Sequence, residues 1–396
     1  MSSNDPGRCT AVVVGAGIAG LSAAISLIRT GWDVTVLERS PELGEIGAGF
    51  AMSRNAVAAF RGLGFDSDDV AALGCATGAA GTWASDGRPI LTISEDEATR
   101  EAVALIGVHR RRLHQALLRH ARDAGVRIVP DTPVTTVVPG EPGGARAMVA
   151  GREADLVVGA DGMHSAVRKA LFHTNATYSG FSSWRAITAR NPAETTLRQY
   201  WGPRAEFGVM PVSDTETYWY GYVAMPERTR LSDELGAATR RFAAWAAPIQ
   251  QLLARTDPAA VLRHDVYHLS GGLSRYTTGR VVMIGDAAHG FLPTMGQGVA
   301  TALEDGLCVG LLIGSPVAAG GALAPALAGF DQARRPRCRA LGRASVLTAR
   351  FGSRLGGGLR QPVRNALVRL TPASALNRGA DAAMGWTPPA PAAPVS

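Results

Sequence analysis

The sequence predicts an α/β fold in which a parallel-sheet domain is interleaved with a mostly antiparallel β-sheet domain, with helices at the C-terminal end. Three observations predict it. A glycine-rich turn joins a strand to a helix near the start of the chain. Two later apolar strands each run into a turn with a glycine and a carboxylate. Between them lie segments rich in β-branched and aromatic residues, separated by turn signals such as Asp86-Gly87.

The first element is a short apolar β-branched strand at residues 10–14, followed by a helix at residues 21–28. Gly15-Ala16-Gly17-Ile18-Ala19-Gly20 occupies the turn between them. Gly15 permits the tight turn, Gly17 lets the backbone approach a pyrophosphate, and Gly20 lets the helix pack closely on the strand. The helix start, with Ile18 and Ala19, offers unpaired amides to phosphate oxygens. A second strand at residues 34–37 ends in Glu38, beside Arg39, where a carboxylate can bond the ribose hydroxyls of an adenosine. This unit predicts a bound dinucleotide, and nothing in it separates FAD from NAD.

The next signature is Asp155-Leu156-Val157-Val158-Gly159-Ala160-Asp161-Gly162, an apolar strand entering a glycine turn ahead of a helix at residues 165–171. The run from Arg280 through Gly285-Asp286-Ala287-Ala288-His289 is another buried strand, delivering Asp286 at its C-terminal end. Pro293-Thr294-Met295-Gly296-Gln297-Gly298 then precedes a helix at residues 299–312, whose exposed amides can stabilise negative charge on a ring system.

These segments resemble the single-component flavoprotein aromatic hydroxylases with the p-hydroxybenzoate hydroxylase fold, especially the branch resembling salicylate hydroxylase and zeaxanthin epoxidase. The likeness spans roughly residues 11–305. It includes Asp161-Gly162-Met163-His164-Ser165-Ala166-Val167-Arg168, Gly44-Glu45-Ile46-Gly47-Ala48-Gly49, and Tyr178-Ser179-Gly180-Phe181 with Trp184-Arg185. The resemblance implies a Rossmann-like FAD-binding domain, non-covalent FAD, and NADPH or NADH as a transient co-substrate. It implies that O2 reacts through a C4a-hydroperoxyflavin to place one oxygen atom on an aromatic or heteroaromatic substrate, with epoxidation of an electron-rich alkene or indole as the alternative. By the same resemblance Glu38 holds the adenosine ribose and Arg110 reaches the FAD phosphates or ribityl chain. Asp286 bonds the ribityl side, Pro293 lies beside the flavin ring, and the amides of Gly296, Gln297 and Gly298 face the pyrimidine edge. Asp161 serves FAD and nicotinamide binding, and His289 is structural.

The family resemblance does not name a substrate. A phenol is often activated by deprotonation, through a positioned base or a hydrogen-bond relay. The candidates are Arg185, Tyr200, and Tyr218, Tyr220 and Tyr222, the last three on one face of a strand and Trp219 on the other. One face lines a pocket; alternation does not say which. Arg185 and Tyr220 join Pro293 as catalytic candidates. Where related hydroxylases often carry a branched aliphatic and two prolines, this chain has Phe50-Ala51-Met52-Ser53-Arg54-Asn55, so Phe50, Met52 and Met295 predict an apolar pocket near the flavin. A halogenase reading requires a positioned lysine and a Trp-x-Trp motif, whereas Lys169 is the only lysine and Trp219 has no such partner. A scaffold would need neither Asp286 nor the Pro293 loop.

With 396 residues and 46% hydrophobic content, the chain suits one interleaved two-domain enzyme. The expected FAD-binding domain comprises residues 1–73, 102–171 and 274–340, and the substrate domain residues 74–101 and 172–273, with a helical segment at 228–255. Residues 341–387 are expected to form helices and residues 388–396 a flexible tail. The net charge of +7 comes without a basic run interleaved with aromatics, which argues against nucleic acid. Cys9, Cys75, Cys308 and Cys338 lack metal-ligand spacing, so no metal is expected and a cytoplasmic location fits. No transmembrane segment is expected, since Glu304 and Asp305 interrupt residues 299–313. The tail helices are expected to cover the flavin domain in a monomer, to pair subunits in a homodimer, or to make a peripheral membrane contact.

Overall fold

The computed structural model describes residues 8–44, 48–93 and 97–390. Glu45, Ile46 and Gly47, and residues 391–396 of the expected tail, lie outside the described residues.

Two sheets organise the chain. The first has six strands in the order Thr277–Thr278, Val281–Met283, Leu156–Gly159, Thr10–Val14, Asp33–Leu37 and Arg127–Val129, with every pair parallel except the first. Its central strands are apolar runs because they are covered by the helix Ile18–Arg29 and by a small antiparallel sheet of Val137–Val138, Ala147–Val149 and Arg152–Ala154: Val13, Val34, Leu156, Val157 and Val282 are each 0% exposed. In register, Val14 sits beside both Gly159 and Leu37, so the turns after these strands emerge together at the C-terminal edge of the sheet.

The second sheet has nine strands. Its main path runs Leu262–His268, Thr177–Ala189, Glu216–Ala224, Ala205–Pro211, Leu197–Gly202, Gly74–Ala84, Ala104–His109 and Gly49–Met52, with Pro89–Thr92 paired to Gly74–Ala84. All pairs are antiparallel except Leu197–Gly202 with Gly74–Ala84. One face buries Trp184, Phe207 and Trp219 against Phe242 and Leu252 of the helices Glu234–Phe242 and Ala247–Ala254. Phe207 and Trp219 stack at 5.4 Å, and Trp219 is 0% exposed. The other face carries Tyr218, Tyr220 and Tyr222 toward the first sheet.

Several boundaries differ from the expected ones. Gly49–Met52 and Ala104–His109, expected within the FAD-binding pieces, hydrogen-bond into the nine-stranded sheet through the first half of Gly74–Ala84. That strand reads Gly-Cys-Ala-Thr-Gly-Ala-Ala-Gly, with too little alternation to announce its partners. The helical stretch at 228–255 is two helices. A single helix, Leu323–Phe351, runs through the expected boundary at residue 340, with Pro336 inside it. Gly298–Cys308 continues through a π-helical turn, Val309–Gly314, into Ser315–Ala318. The combined stretch Gly298–Ala318 is long and apolar enough to cross a membrane, but 72% of its apolar window is buried inside the fold. Its acidic pair is neutralised internally. Glu304 and Asp305, both 0% exposed, lie 2.7 Å from Arg334, and Arg337 adds a second bond to Glu304. These bonds tie the long C-terminal helix to the core.

Candidate active site

The turns at the C-terminal edge of the first sheet and the tyrosine face of the second enclose a cavity of about 1100 Å³. A single small-molecule site usually spans roughly 300–1,000 Å³, so this one is at or just above the top of that range.

One end is a dinucleotide cradle. Gly15 has φ +104°, and a Cβ there would lie 2.6 Å from the Ala160 carbonyl oxygen, so the turn requires glycine. Gly17 caps the helix Ile18–Arg29 in extended conformation, and a Cβ there would meet nothing within 4 Å. Its missing side chain therefore leaves open space in front of the helix amides, the shape a pyrophosphate needs. Gly15, Gly17, Ile18 and Ala19 line the cavity, as do Glu38, Arg39, Arg110 and Asp161. Gly20 stands behind the turn, where a Cβ would sit 1.9 Å from the Gly15 carbonyl oxygen. Glu38 fixes the turn: its carboxylate accepts from the Ala16 amide at 2.8 Å and the Ser40 amide at 2.9 Å. Asp161 spends both carboxylate oxygens on capping Ala166–Phe172, accepting from Ser165 Oγ and from the amides of Ala166 and Val167.

Further along, Asp286 opens the short helix Asp286–His289 and is exposed to the cavity, and its carboxylate accepts no hydrogen bond among the described residues. Its position is set from behind. Asp305 accepts from the Gly285 amide at 2.9 Å and bonds His289 Nε2 at 2.6 Å. Burial opposes the Asp305 charge, but Arg334 and His289 outweigh it and hold the carboxyl down to about 2. The loop Pro293–Met295 turns at Gly296, φ +63°, and presents Pro293, Met295, Gly296, Gln297 and Gly298 to the cavity. Gln297 is held by Ser53 Oγ and by Asn55 Nδ2 at 2.9 Å, and Asn55 in turn donates to Glu304 at 2.6 Å.

The opposite wall is the tyrosine face. Tyr218, Tyr220, Tyr222 and Arg185 line the cavity, with Phe50 at its side. Arg185 pairs with Tyr220 across the sheet, and Tyr220 pairs with Gly208 on its other side. A Cβ on Gly208 would lie 2.0 Å from the Tyr220 ring, so only glycine lets that ring lie across the strand. Lying there, the Tyr220 hydroxyl donates to Glu206 at 2.6 Å and accepts from Gln199 Nε2 at 2.9 Å. Glu206 is 3% exposed, and burial pushes its carboxyl up to about 7 against the pull of the Tyr220 bond. Burial, and then Glu206, raises the Tyr220 phenol well above its ordinary value. His264 completes the row beside Ser183; its side chain is open to the cavity, and enclosure by the cavity walls, with Arg185 and Arg110 adding to the effect, lowers its pKa below the ordinary value, so its ring is neutral at pH 7. Beyond this polar row the lining turns apolar, with Ala79, Val103, Leu105, Leu197 and Met210.

Two candidates are not in the cavity. Tyr200 lies on the far face of the sheet, 3% exposed in the aromatic core beside Trp83, because it follows Gln199 by one residue and strand parity turns it away. Met52, which shares a strand face with Phe50 by alternation, is 1% exposed and packed into the core cluster. The sequence reading missed Gln199, Glu206 and His264. A signal for Glu206 existed: it is the lone charge in the otherwise apolar strand Ala205–Pro211, all of whose residues are buried. The sequence reading expected helices over residues 341–387 but not that one of them, Ala373–Met384, contributes Gly379, Ala380, Ala383 and Met384 to the cavity wall.

Comparison with known proteins agrees with this geometry. A family model described as "FAD binding domain" matches residues 8–345. The chain is 36% identical over 305 residues to an aurachin C monooxygenase/isomerase of Stigmatella aurantiaca, covering 75% of this chain and 78% of that protein. It is 30% identical over 388 residues to a 2-heptyl-3-hydroxy-4(1H)-quinolone synthase of Pseudomonas aeruginosa, covering 93% and 96%. Among solved structures, Klebsiella pneumoniae HpxO complexed with FAD and uric acid superposes with a TM-score of 0.80 at 25% identity, covering 94% of this chain and 96% of that one.

Proposed function

Since the chain belongs to the FAD binding domain family and is an FAD-dependent NAD(P)H monooxygenase, we propose that it hydroxylates a bicyclic nitrogen heteroaromatic of the 4(1H)-quinolone type carrying an apolar substituent. The observation that carries this reading is the wall itself: half-buried Arg185, Tyr220 and Gln199 grouped around the buried Glu206, adjoining an apolar arm. The quinolone synthase relative, matched along almost the whole of both chains, supports the ring class.

The turn at residues 15–20, Glu38, Arg39, Arg110 and Asp286 would hold the FAD, with the amides of residues 296–298 and Pro293 against its ring. When bound, the flavin supplies reduction by NAD(P)H and activation of O2. The protein's own part is to orient the ring, exclude water and move a proton. Tyr220 is placed for the last task. Its single proton points at Glu206, which leaves an oxygen lone pair for a ring N–H or O–H in the cavity. As Tyr220 takes that proton, its own passes to the Glu206 carboxylate, whose pKa of about 7 suits acceptance near neutral pH. The released electron pair enriches the ring carbon next to the carbonyl, the position that receives oxygen. The hydrogen of that carbon then moves to nitrogen, and the relay returns its proton to the water that forms. Epoxidation of an alkene requires no proton acceptor and leaves this row without a task.

The free thiols Cys9, Cys75, Cys308 and Cys338 and the nicotinamide requirement support a cytoplasmic reaction. The test is anaerobic: flavin bleaching by NADPH and NADH, with and without 2-alkyl-4(1H)-quinolones, phenols and polyenes. Marked acceleration by a quinolone supports the assignment. Acceleration by a polyene alone contradicts it.

A further inference from the structure

The C-terminal helices carry a feature that the oxygenation chemistry leaves unused. Between Asp331 and Asp381 the chain has eleven arginines and no acidic residue. Of 40 basic and 33 acidic residues in all, 29 and 33 lie elsewhere, so the net +7 is +11 in this stretch against −4 in the rest. The same stretch holds Leu347, Phe351, Leu359, Val363, Leu367 and Leu370, six of the eight most exposed large hydrophobic side chains among the described residues.

Their arrangement is directional. On the helix Arg360–Arg369 and its flanks, Leu359, Val363, Leu367 and Leu370 recur at helical spacing along one face and are 58–83% exposed. The inward face is polar instead. Arg364 is 3% exposed, donates to the Phe351 carbonyl at 2.6 Å and lies 5.0 Å from the Trp201 ring centroid. This helix is therefore inside out, anchored through a cation with its apolar stripe turned outward. Leu347 and Phe351 extend the stripe on the end of Leu323–Phe351, and exposed Arg343, Arg350, Arg360 and Arg369 flank it.

We propose that this face docks on an anionic lipid surface. An apolar stripe edged by arginines matches the acyl boundary and headgroups of such a bilayer. A second copy of the chain is disfavoured by charge, because a two-fold contact would set arginines against arginines with no carboxylate in the stretch to answer them. The docking does not depend on the identity of the substrate. It has a structural consequence: only Thr371 and Pro372 separate the helix Arg360–Arg369 and Leu370 from Ala373–Met384, the helix that walls the cavity, so a docked enzyme holds that wall beside the membrane.

The test is co-sedimentation of the FAD-loaded enzyme with phosphatidylcholine vesicles with and without phosphatidylglycerol, at low and high salt. Two variants accompany it: Leu359→Ser with Val363→Ser and Leu367→Ser, and Arg343→Gln with Arg350→Gln and Arg360→Gln. An unchanged flavin absorbance spectrum checks that each variant is folded. Salt-sensitive binding to the anionic vesicles is expected, weakened roughly five-fold per arginine removed and abolished by the serine variant. Failure to bind anionic vesicles, or equal binding by both variants, overturns the proposal. So does a lipid-free dimer in sedimentation velocity that the serine variant dissolves, which would make the face a self-interface.

Discussion

Glu206→Gln tests the buried carboxyl through stability as well as activity. Glu206 is 3% exposed, and its carboxyl is raised from the ordinary 4.5 to about 7, burial being the main cause. Because the folded-state pKa is the higher one, the stability linked to this group is fully present below the unfolded value and is lost as pH rises through about 7. At about 1.4 kcal/mol per pKa unit, the cost of holding the ionised carboxylate in the fold approaches about 3 kcal/mol above neutrality. Glutamine has the same shape, stays neutral, and keeps a carbonyl oxygen for the Tyr220 hydroxyl. The variant should therefore match the parent near pH 4 and exceed it near pH 9, by up to about 4 °C in Tm for a chain of this length. Thermal unfolding of flavin-stripped protein across that range is the assay. In turnover the same variant cannot take a proton, and kcat should fall by about 10²–10⁴. A stability offset that does not change with pH, or a loss of stability at high pH, refutes the reasoning.

Three other outcomes are expected. Tyr220→Phe removes the relay's first acceptor while keeping the ring over Gly208, so kcat should drop by about 10²-fold or more; flavin titration should give an unchanged FAD affinity, and unaltered turnover would sink the relay. Gly17→Val faces open space, so its unfolding temperature should stay near the parent's while the side chain fills the phosphate site; normal FAD affinity by fluorescence titration would refute the cradle. Asp286→Ala should weaken FAD retention on gel filtration by about 10- to 100-fold in Kd, the range for losing a hydrogen bond to a charged group, and full occupancy would move the ribityl contact elsewhere.

Much of the cofactor half was legible because each feature is local. The fingerprint glycines, Glu38 and Asp286 sit at fixed offsets from apolar strands, and the parallel sheet gathers those strand ends at one edge. The substrate half was less legible because its site is built across strands. Alternation placed Tyr218, Tyr220 and Tyr222 together, but parity within one strand says nothing about which sheet face meets the cavity. Tyr200 was mistaken for a pocket residue on that account, while its neighbour Gln199 held the position. Glu206 was hidden for another reason: a carboxylate in a strand is ordinarily read as facing solvent. Only the pairing of Gly208 with Tyr220 reveals the phenol that covers it. The inside-out helix was legible as an arginine-rich, leucine-spaced stretch, but its orientation depends on Arg364 finding Trp201, far away in sequence.

The most direct test of the central claim is turnover of a 2-alkyl-4(1H)-quinolone with NAD(P)H under isotopically labelled O2, with the product read by mass spectrometry. The account predicts one labelled oxygen atom on the ring carbon beside the carbonyl, formed in step with NAD(P)H consumption. Flavin oxidation that yields only hydrogen peroxide with every quinolone, alongside labelled oxygen in a non-aromatic alkene, would contradict it.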